Sequence, residues 1–262
     1  MKNLFQGFFN DVRTFFWFLL RGPKFYPSLI EYSFRIFKEN FDTHQHADLE
    51  KEWCKDKAIS ITDLFNNFNL EYKNLNAIEN NYSEKIEEII SKSGNDFGGM
   101  GDINLIYNLC ESIEAKNCIE SGVAYGWSSE AILRSISTRN GKLVSVDMPM
   151  IGQKDYHLIG CAVSEKMRER WVLLREPDKN GLLKAIKLFT NKVDLIHYDS
   201  DKSYYGRKWS QPILYSAIRD GGFLISDDID DNKAFREFVI GQNLNFHVVE
   251  FAGRYVGVIR KI

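Results

Sequence analysis

From residue 102 onward, short apolar runs alternate with stretches of helical period. The pattern predicts strands over residues 117–120, 142–147, 171–174, 193–198 and 223–226, and helices over 128–137, 160–170, 182–190 and 209–218. The strand runs carry little alternation between apolar and polar positions, which is the mark of strands buried on both faces. A helix between successive strands gives the length that a parallel crossover requires. The end of the chain breaks the rule, because residues 246–251 and 254–260 are separated only by Ala252 and Gly253. So short a link predicts an antiparallel hairpin. The predicted fold is therefore α/β, a mostly parallel sheet covered on both sides with an antiparallel hairpin at its end.

The first part of the chain has a different pattern. Leu4/Phe5, Phe8/Phe9, Val12, Phe15/Phe16 and Leu19/Leu20 recur at helical spacing, and Pro23 and Pro27 separate this stretch from a second helix over residues 28–38. Asp11 and Arg13 interrupt the apolar run, and no small-residue cleavage site follows it, so neither a spanning helix nor a signal peptide is expected. Two readings stand open for residues 4–38. With Arg13, Arg21 and Lys24 nearby, the aromatic face suits a peripheral membrane contact; the same face suits packing on the rest of the chain or on a second copy of it. Residues 40–80 are polar and weakly periodic. A helix over 82–91 and a Gly-rich turn over 94–101 follow, and Asp102 is placed to cap the next helix. The expected division is a helical N-terminal extension over 1–80 and a catalytic domain over 81–262.

Charge and cysteines remove several function classes. Lys plus Arg number 34 against 36 Asp plus Glu, so nothing favours a polyanion, and nucleic acid is not expected as a partner. Cys54, Cys110, Cys118 and Cys161 form no CxxC pair, which fits a reducing cytoplasm and suggests neither a disulfide framework nor a zinc knuckle.

The chemistry concentrates at strand ends. Residues 120–128, Glu-Ser-Gly-Val-Ala-Tyr-Gly-Trp-Ser, lie where the first strand passes into a helix. Gly122 and Gly126 remove side chains where the backbone turns and approaches a ligand, and the helix start offers N–H groups to an anionic group. Asp147 ends the next strand, where a carboxylate can accept hydrogen bonds from ribose hydroxyls. Later strands end in Asp199 and Asp201, then in Asp227 and Asp228. In an open parallel sheet these ends converge on one crevice, and clustered acids there suit a hard divalent cation such as Mg²⁺.

The spacing G-x-x-x-G differs from the G-x-G-x-x-G of dinucleotide oxidoreductases. The stretch resembles the E-x-G-x-x-x-G-x-S loop of class I methyltransferases of the catechol O-methyltransferase type. The motifs D-S-D-x-S-Y and G-G-x-x-x-x-D-D-I, with the Asn232 to Phe238 segment after them, resemble metal-dependent small-molecule O-methyltransferases, including the macrocin and cephalosporin-biosynthesis groups. This resemblance implies a Rossmann-like methyltransferase sheet over about residues 102–262. It implies that Glu120, Gly122, Tyr125, Gly126 and Ser128 hold S-adenosylmethionine with Asp147, that Asp199, Asp227 and Asp228 ligate Mg²⁺, and that Asp201 is the general base. Lys202 departs from the pattern, since these relatives commonly carry His there, and it stands beside Asp201 as a second catalytic candidate. His197, inside a strand, is expected to be a packed residue.

The expected function is methyl transfer to a hydroxyl of a small molecule, with a sugar or glycan precursor as the preferred acceptor. The alternatives are a non-catalytic S-adenosylmethionine-binding partner in a biosynthetic complex, or another reaction on the same fold, hydroxylation or NAD-dependent oxidation.

Overall fold

A computed structural model describes residues 15–37, 44, 46–92, 96–148 and 156–262. Its centre is a seven-stranded sheet in the order β3-β2-β1-β4-β5-β7-β6. The strands are β1 (Asn117–Ser121), β2 (Lys142–Val146), β3 (Trp171–Leu174), β4 (Val193–Tyr198), β5 (Ile218–Ser226), β6 (Asn245–Phe251) and β7 (Arg254–Arg260). β1 to β5 pair in parallel, while β7 runs antiparallel to both β5 and β6. The Rossmann-like α/β sheet with a terminal antiparallel hairpin is thus present.

Successive residues of each central strand enter different cores, as the two-residue strand period demands. On one face Cys118, Leu143, Leu195 and Phe223 pack with Leu64, Phe65, Leu105, Leu109, Ile132 and Ile136. These come from α3 (Ile61–Asn67), α5 (Ile103–Ser112) and α6 (Trp127–Ser137). On the other face Ile119, Val144, Ile196 and Leu224 meet Cys54, Leu182, Leu214 and Phe235. Their helices are α2 (Ala47–Lys57), α8 (Asp178–Lys187), α9 (Tyr204–Ala217) and α10 (Ala234–Gly241). Residues 47–68, expected in the extension, therefore contribute to both cores, and Ala58 bridges to Val248 of β6.

Of the N-terminal aromatic stretch, residues 4–14 lie outside the described residues, whereas 15–20 are helical. α1 (Tyr26–Phe37) follows, with Pro27 in its first turn, where a missing N–H costs nothing. Phe18, Phe25 and Leu29 cluster with Trp17 and Met148. Ser28 Oγ donates to Asn180 Oδ1 at 3.3 Å and Glu31 pairs with Lys179, fastening the segment to the start of α8. Its other face leaves Leu20, Ile30 and Phe34 exposed. No helix among the described residues is long and apolar enough to cross a membrane. α4 (Asn80–Ser91) and the single turn α7 (Glu165–Arg168) complete the helices used below.

Candidate active site

Strand order reverses between β1 and β4, so the connections leaving these neighbours diverge and open a crevice beyond their C-terminal ends. The ladder continues one residue past each strand. Gly122 N donates to Val146 O at 2.9 Å, Asp147 N to Leu174 O at 3.0 Å, Asp199 N to Ser121 O at 2.7 Å and Asp227 N to Tyr198 O at 3.1 Å. Gly122, Asp147, Asp199 and Asp227 therefore share one edge. A cavity of about 1150 Å³ opens there, lined by these residues and by Tyr125, Ser128, Asp178, Asp201, Lys202, Asp228 and Arg254. Sites for a single small ligand run to roughly 300–1,000 Å³, so this one lies just above the upper end of that range.

On the β1–β2 side the backbone is the main instrument. Gly122 has φ +87, and a Cβ there would lie 2.1 Å from the Asp199 carbonyl oxygen. Gly126, with φ +89, caps α6, and a Cβ on it would stand 2.9 Å from Gly160 Cα. Asp147 Oδ1 accepts from Val123 N at 3.2 Å and its other oxygen pairs with Arg175. Only 6% of Asp147 is exposed. Burial, partly offset by Arg175, raises its carboxyl to about 6.

On the β4–β5 side the acids are already in company. Lys202 Nζ lies 2.8 Å from Asp199 Oδ1 and also pairs with Asp228. Arg254 Nη2 is 3.1 Å from Asp228 Oδ1. His197 Nε2 is 3.3 Å from Asp227 Oδ2 and its Nδ1 is 3.6 Å from Glu120 Oε1. Burial opposes charge on His197, but Asp227 and Glu120 outweigh it and raise the imidazole well above its ordinary range. Lys202 is likewise held as an ammonium, since Asp199 and Asp228 outweigh its desolvation.

Residues 119–229 match a protein family described as a methyltransferase domain. The matched stretch runs from within β1 to the turn after β5. No curated protein matches the sequence. Among solved structures, the chain is similar to the O-methyltransferase from Bacillus cereus in complex with S-adenosylhomocysteine, at a TM-score of 0.55 and 14% identity, covering 70% of this chain and 92% of that one. The S-adenosylhomocysteine-bound Podospora anserina methyltransferase PaMTH1 gives 0.55 and 14%, covering 82% and 95%. The O-methyltransferase TomG from Streptomyces achromogenes, in complex with S-adenosylmethionine and involved in tomaymycin synthesis, gives 0.52 and 12%, covering 71% and 91%. At these identities the likeness is one of fold, that of class I S-adenosylmethionine-dependent methyltransferases.

The expected site residues divide by position. Gly122, Tyr125, Ser128, Asp147, Asp199, Asp201, Lys202, Asp227 and Asp228 all line the crevice. Glu120 does not. It is fully buried beneath the loop and accepts from Ser128 Oγ at 2.6 Å, Ser145 Oγ at 2.7 Å and Ser129 Oγ. Its carboxylate ties the first turn of α6 to β1 and β2, where the helix dipole favours negative charge. Gly126 also stands behind the lining, serving close packing against Gly160. Trp171 begins β3 at the end of the strand away from the crevice and donates from Nε1 to Ser145 Oγ at 2.8 Å.

Asp201 shapes the entry to α9, its Oδ1 accepting from Ser203 N at 3.2 Å. The metal expectation meets a different arrangement. Among the described residues no three His, Cys, Asp or Glu side chains converge as a metal would require. The space between Asp199 and Asp228 holds the Lys202 ammonium. The residues as placed do not fit Mg²⁺.

Two residues escaped the sequence reading. Asp102, 7% exposed, does cap α5 through Oδ1, at 3.0 Å from Leu105 N, but its buried Oδ2 has no hydrogen-bond partner among the described residues and it lines the crevice. Arg207, fully buried, donates to Ser226 Oγ at 2.8 Å, Asp227 O at 2.8 Å and Asp228 O at 3.0 Å. It clamps the acidic turn, in which Asp228 has φ 51.

Proposed function

We propose that this protein transfers a methyl group from S-adenosylmethionine to a hydroxyl of an uncharged small molecule, with a sugar or glycan precursor as the acceptor class. The observation that carries this reading is the single crevice in which the Gly122 turn and Asp147 on one side face Asp199, Asp201, Lys202 and Asp228 on the other. Asp147 takes the ribose hydroxyls, and Asp102 gives the amino-acid end of the cofactor a negative environment for its ammonium. Carboxylates outnumber cations along the lining, which suits a sulfonium and disfavours an anionic acceptor. The D-S-D-K-S-Y and D-D-I motifs support the narrower kinship with macrocin-type O-methyltransferases.

The reaction is an in-line displacement. The acceptor oxygen attacks the methyl carbon, the C–O bond forms as the C–S bond breaks with its electron pair going to sulfur, and the hydroxyl proton passes to a crevice carboxylate, Asp201. The protein contributes positioning and fixed charge. Mg²⁺, expected from the sequence, has no step in this reaction because Lys202 takes the place between the acids.

Calorimetry with S-adenosylhomocysteine, followed by a labelled-methyl assay over neutral sugars, glycans and phenols, tests the proposal. Binding with turnover on a neutral hydroxyl is the expected result. Binding without turnover on any acceptor would favour a non-catalytic partner, and NAD binding in place of S-adenosylhomocysteine would point to oxidoreduction.

Cofactor affinity should also follow the ionisation of Asp147. The ribose needs the carboxylate, which is ionised above about 6 and protonated below it, so affinity falls as pH is lowered. Titrations should show binding at pH 5 weaker than at pH 8 by about tenfold, one unit of ionisation below the midpoint. In Asp147→Asn the affinity should be low at both pH values; an unchanged slope in that variant would remove Asp147 from the ribose.

A further inference from the structure

Each acid that the sequence offers to a metal is met here by a cation of the chain itself. Asp199 has Lys202, Asp228 has Lys202 and Arg254, and Asp227 has His197. We propose that the Lys202 ammonium is the built-in replacement for the divalent cation: it neutralises Asp199 and Asp228 and presents an N–H to the acceptor oxygen. This inference rests on the methyltransferase reading of the same site.

The geometry leaves little choice of occupant. Mg²⁺ requires oxygen ligands at about 2.0–2.1 Å in near-octahedral array. An Nζ that is 2.8 Å from Asp199 and in contact with Asp228 fills the volume between the two carboxylates. Nor is the lysine a loose surface chain that happens to fall inward. Its carbonyl accepts from Asn232 Nδ2 at 2.8 Å and from Arg207 Nε at 3.4 Å, so side chains from α9 and from the turn before α10 both fix the backbone from which it projects. Lysine carries three N–H donors and no acceptor. One is donated to Asp228, Asp199 is held as an ion pair, and an N–H remains for an oxygen in the crevice that Lys202 lines. A donor fixed before reaction and aimed at a developing oxyanion stabilises the charge without reorganisation, the service that a metal would give.

The experiment measures Mn²⁺ binding to the full chain loaded with S-adenosylhomocysteine, by electron paramagnetic resonance, in wild type, Lys202→Met and Lys202→Met/Asp199→Asn. Wild type should bind no Mn²⁺ in the crevice, and its methyl transfer should be indifferent to chelator. Lys202→Met should still bind S-adenosylhomocysteine, which shows that it folds, and should gain a Mn²⁺ site that the added Asp199→Asn removes. Its methyl transfer should fall by about 100-fold, the scale for losing one such donor, and recover in part with Mn²⁺. Wild type that binds Mn²⁺ in the crevice, at a site lost in the double variant, would overturn the assignment, as would Lys202→Met with unchanged turnover. Absence of S-adenosylhomocysteine binding in wild type would instead defeat the methyltransferase reading, a result the Mn²⁺ arms do not mimic.

Discussion

Gly122→Ala is expected to abolish useful cofactor binding, lowering S-adenosylhomocysteine affinity by ~100-fold or more, equivalent to about 2.7 kcal/mol. The added methyl carbon would meet the Asp199 carbonyl oxygen at 2.1 Å and its carbon at 2.6 Å, at a backbone φ of +87 that side chains rarely adopt. Neither neighbour can retreat cheaply, because Asp199 N is already bonded to Ser121 O and Gly122 N to Val146 O. Backbone strain and overpacking each contribute about 1–3 kcal/mol, so a lower unfolding midpoint should accompany the lost binding. Gly241→Ala is the control, since nothing lies within 4 Å of a Cβ there. Calorimetry on the two variants checks the claim, and near-normal affinity in Gly122→Ala would mean that the loop and the β4 end are not locked together.

Arg207→Leu should destabilise the fold by about 3–5 kcal/mol. The guanidinium is buried, and its loss strands the Ser226 hydroxyl and the Asp227 and Asp228 carbonyls without their donor. Each stranded buried acceptor costs about 1–3 kcal/mol. For a chain of this size the midpoint should drop by roughly 10 °C. The turn that carries Asp227 and Asp228 would also lose its clamp, so methyl transfer should fall further than stability alone explains. A midpoint within 2 °C of wild type, in thermal unfolding followed by circular dichroism at sensitivity of about 0.5–1 kcal/mol, would show that water satisfies these groups instead.

Much of the sheet was legible because buried parallel strands announce themselves as apolar runs: the bounds of β3, β4 and β7 coincide with the sequence reading. β5 begins at Ile218 rather than near Phe223, because Arg219, Asp220, Gly221 and Gly222 carry no apolar pattern and join the sheet through backbone bonds to Lys261 and the Arg219–Asp194 pair. The helix expected over residues 160–170 shrinks to Glu165–Arg168, since the preceding turn is shaped by close packing of Gly160 on the Trp171 ring. Phe65 and Phe68 were missed as core because the polar residues around them mask a short helix that buries one edge. At the site, position along strand ends located the crevice, but partners did not follow from position. Lys202 stands out in the sequence as a catalytic candidate, but its pairing with Asp228, from a different strand, does not, and Arg207 reads as the polar face of α9. Long-range pairing of charges has no local signature in a single sequence.

The hairpin of β6 and β7 reaches back to the crevice. Its tip, Phe251, Ala252 and Arg254, lines the crevice on the side away from the Gly122 turn, which belongs to β1 and β2. A two-residue tip is the kind of place where insertions are tolerated, because lengthening it disturbs no strand register. If the proposed reaction holds, substitutions at the tip should change acceptor choice while leaving S-adenosylhomocysteine affinity as it is, because the two sets of lining residues belong to separate parts of the chain.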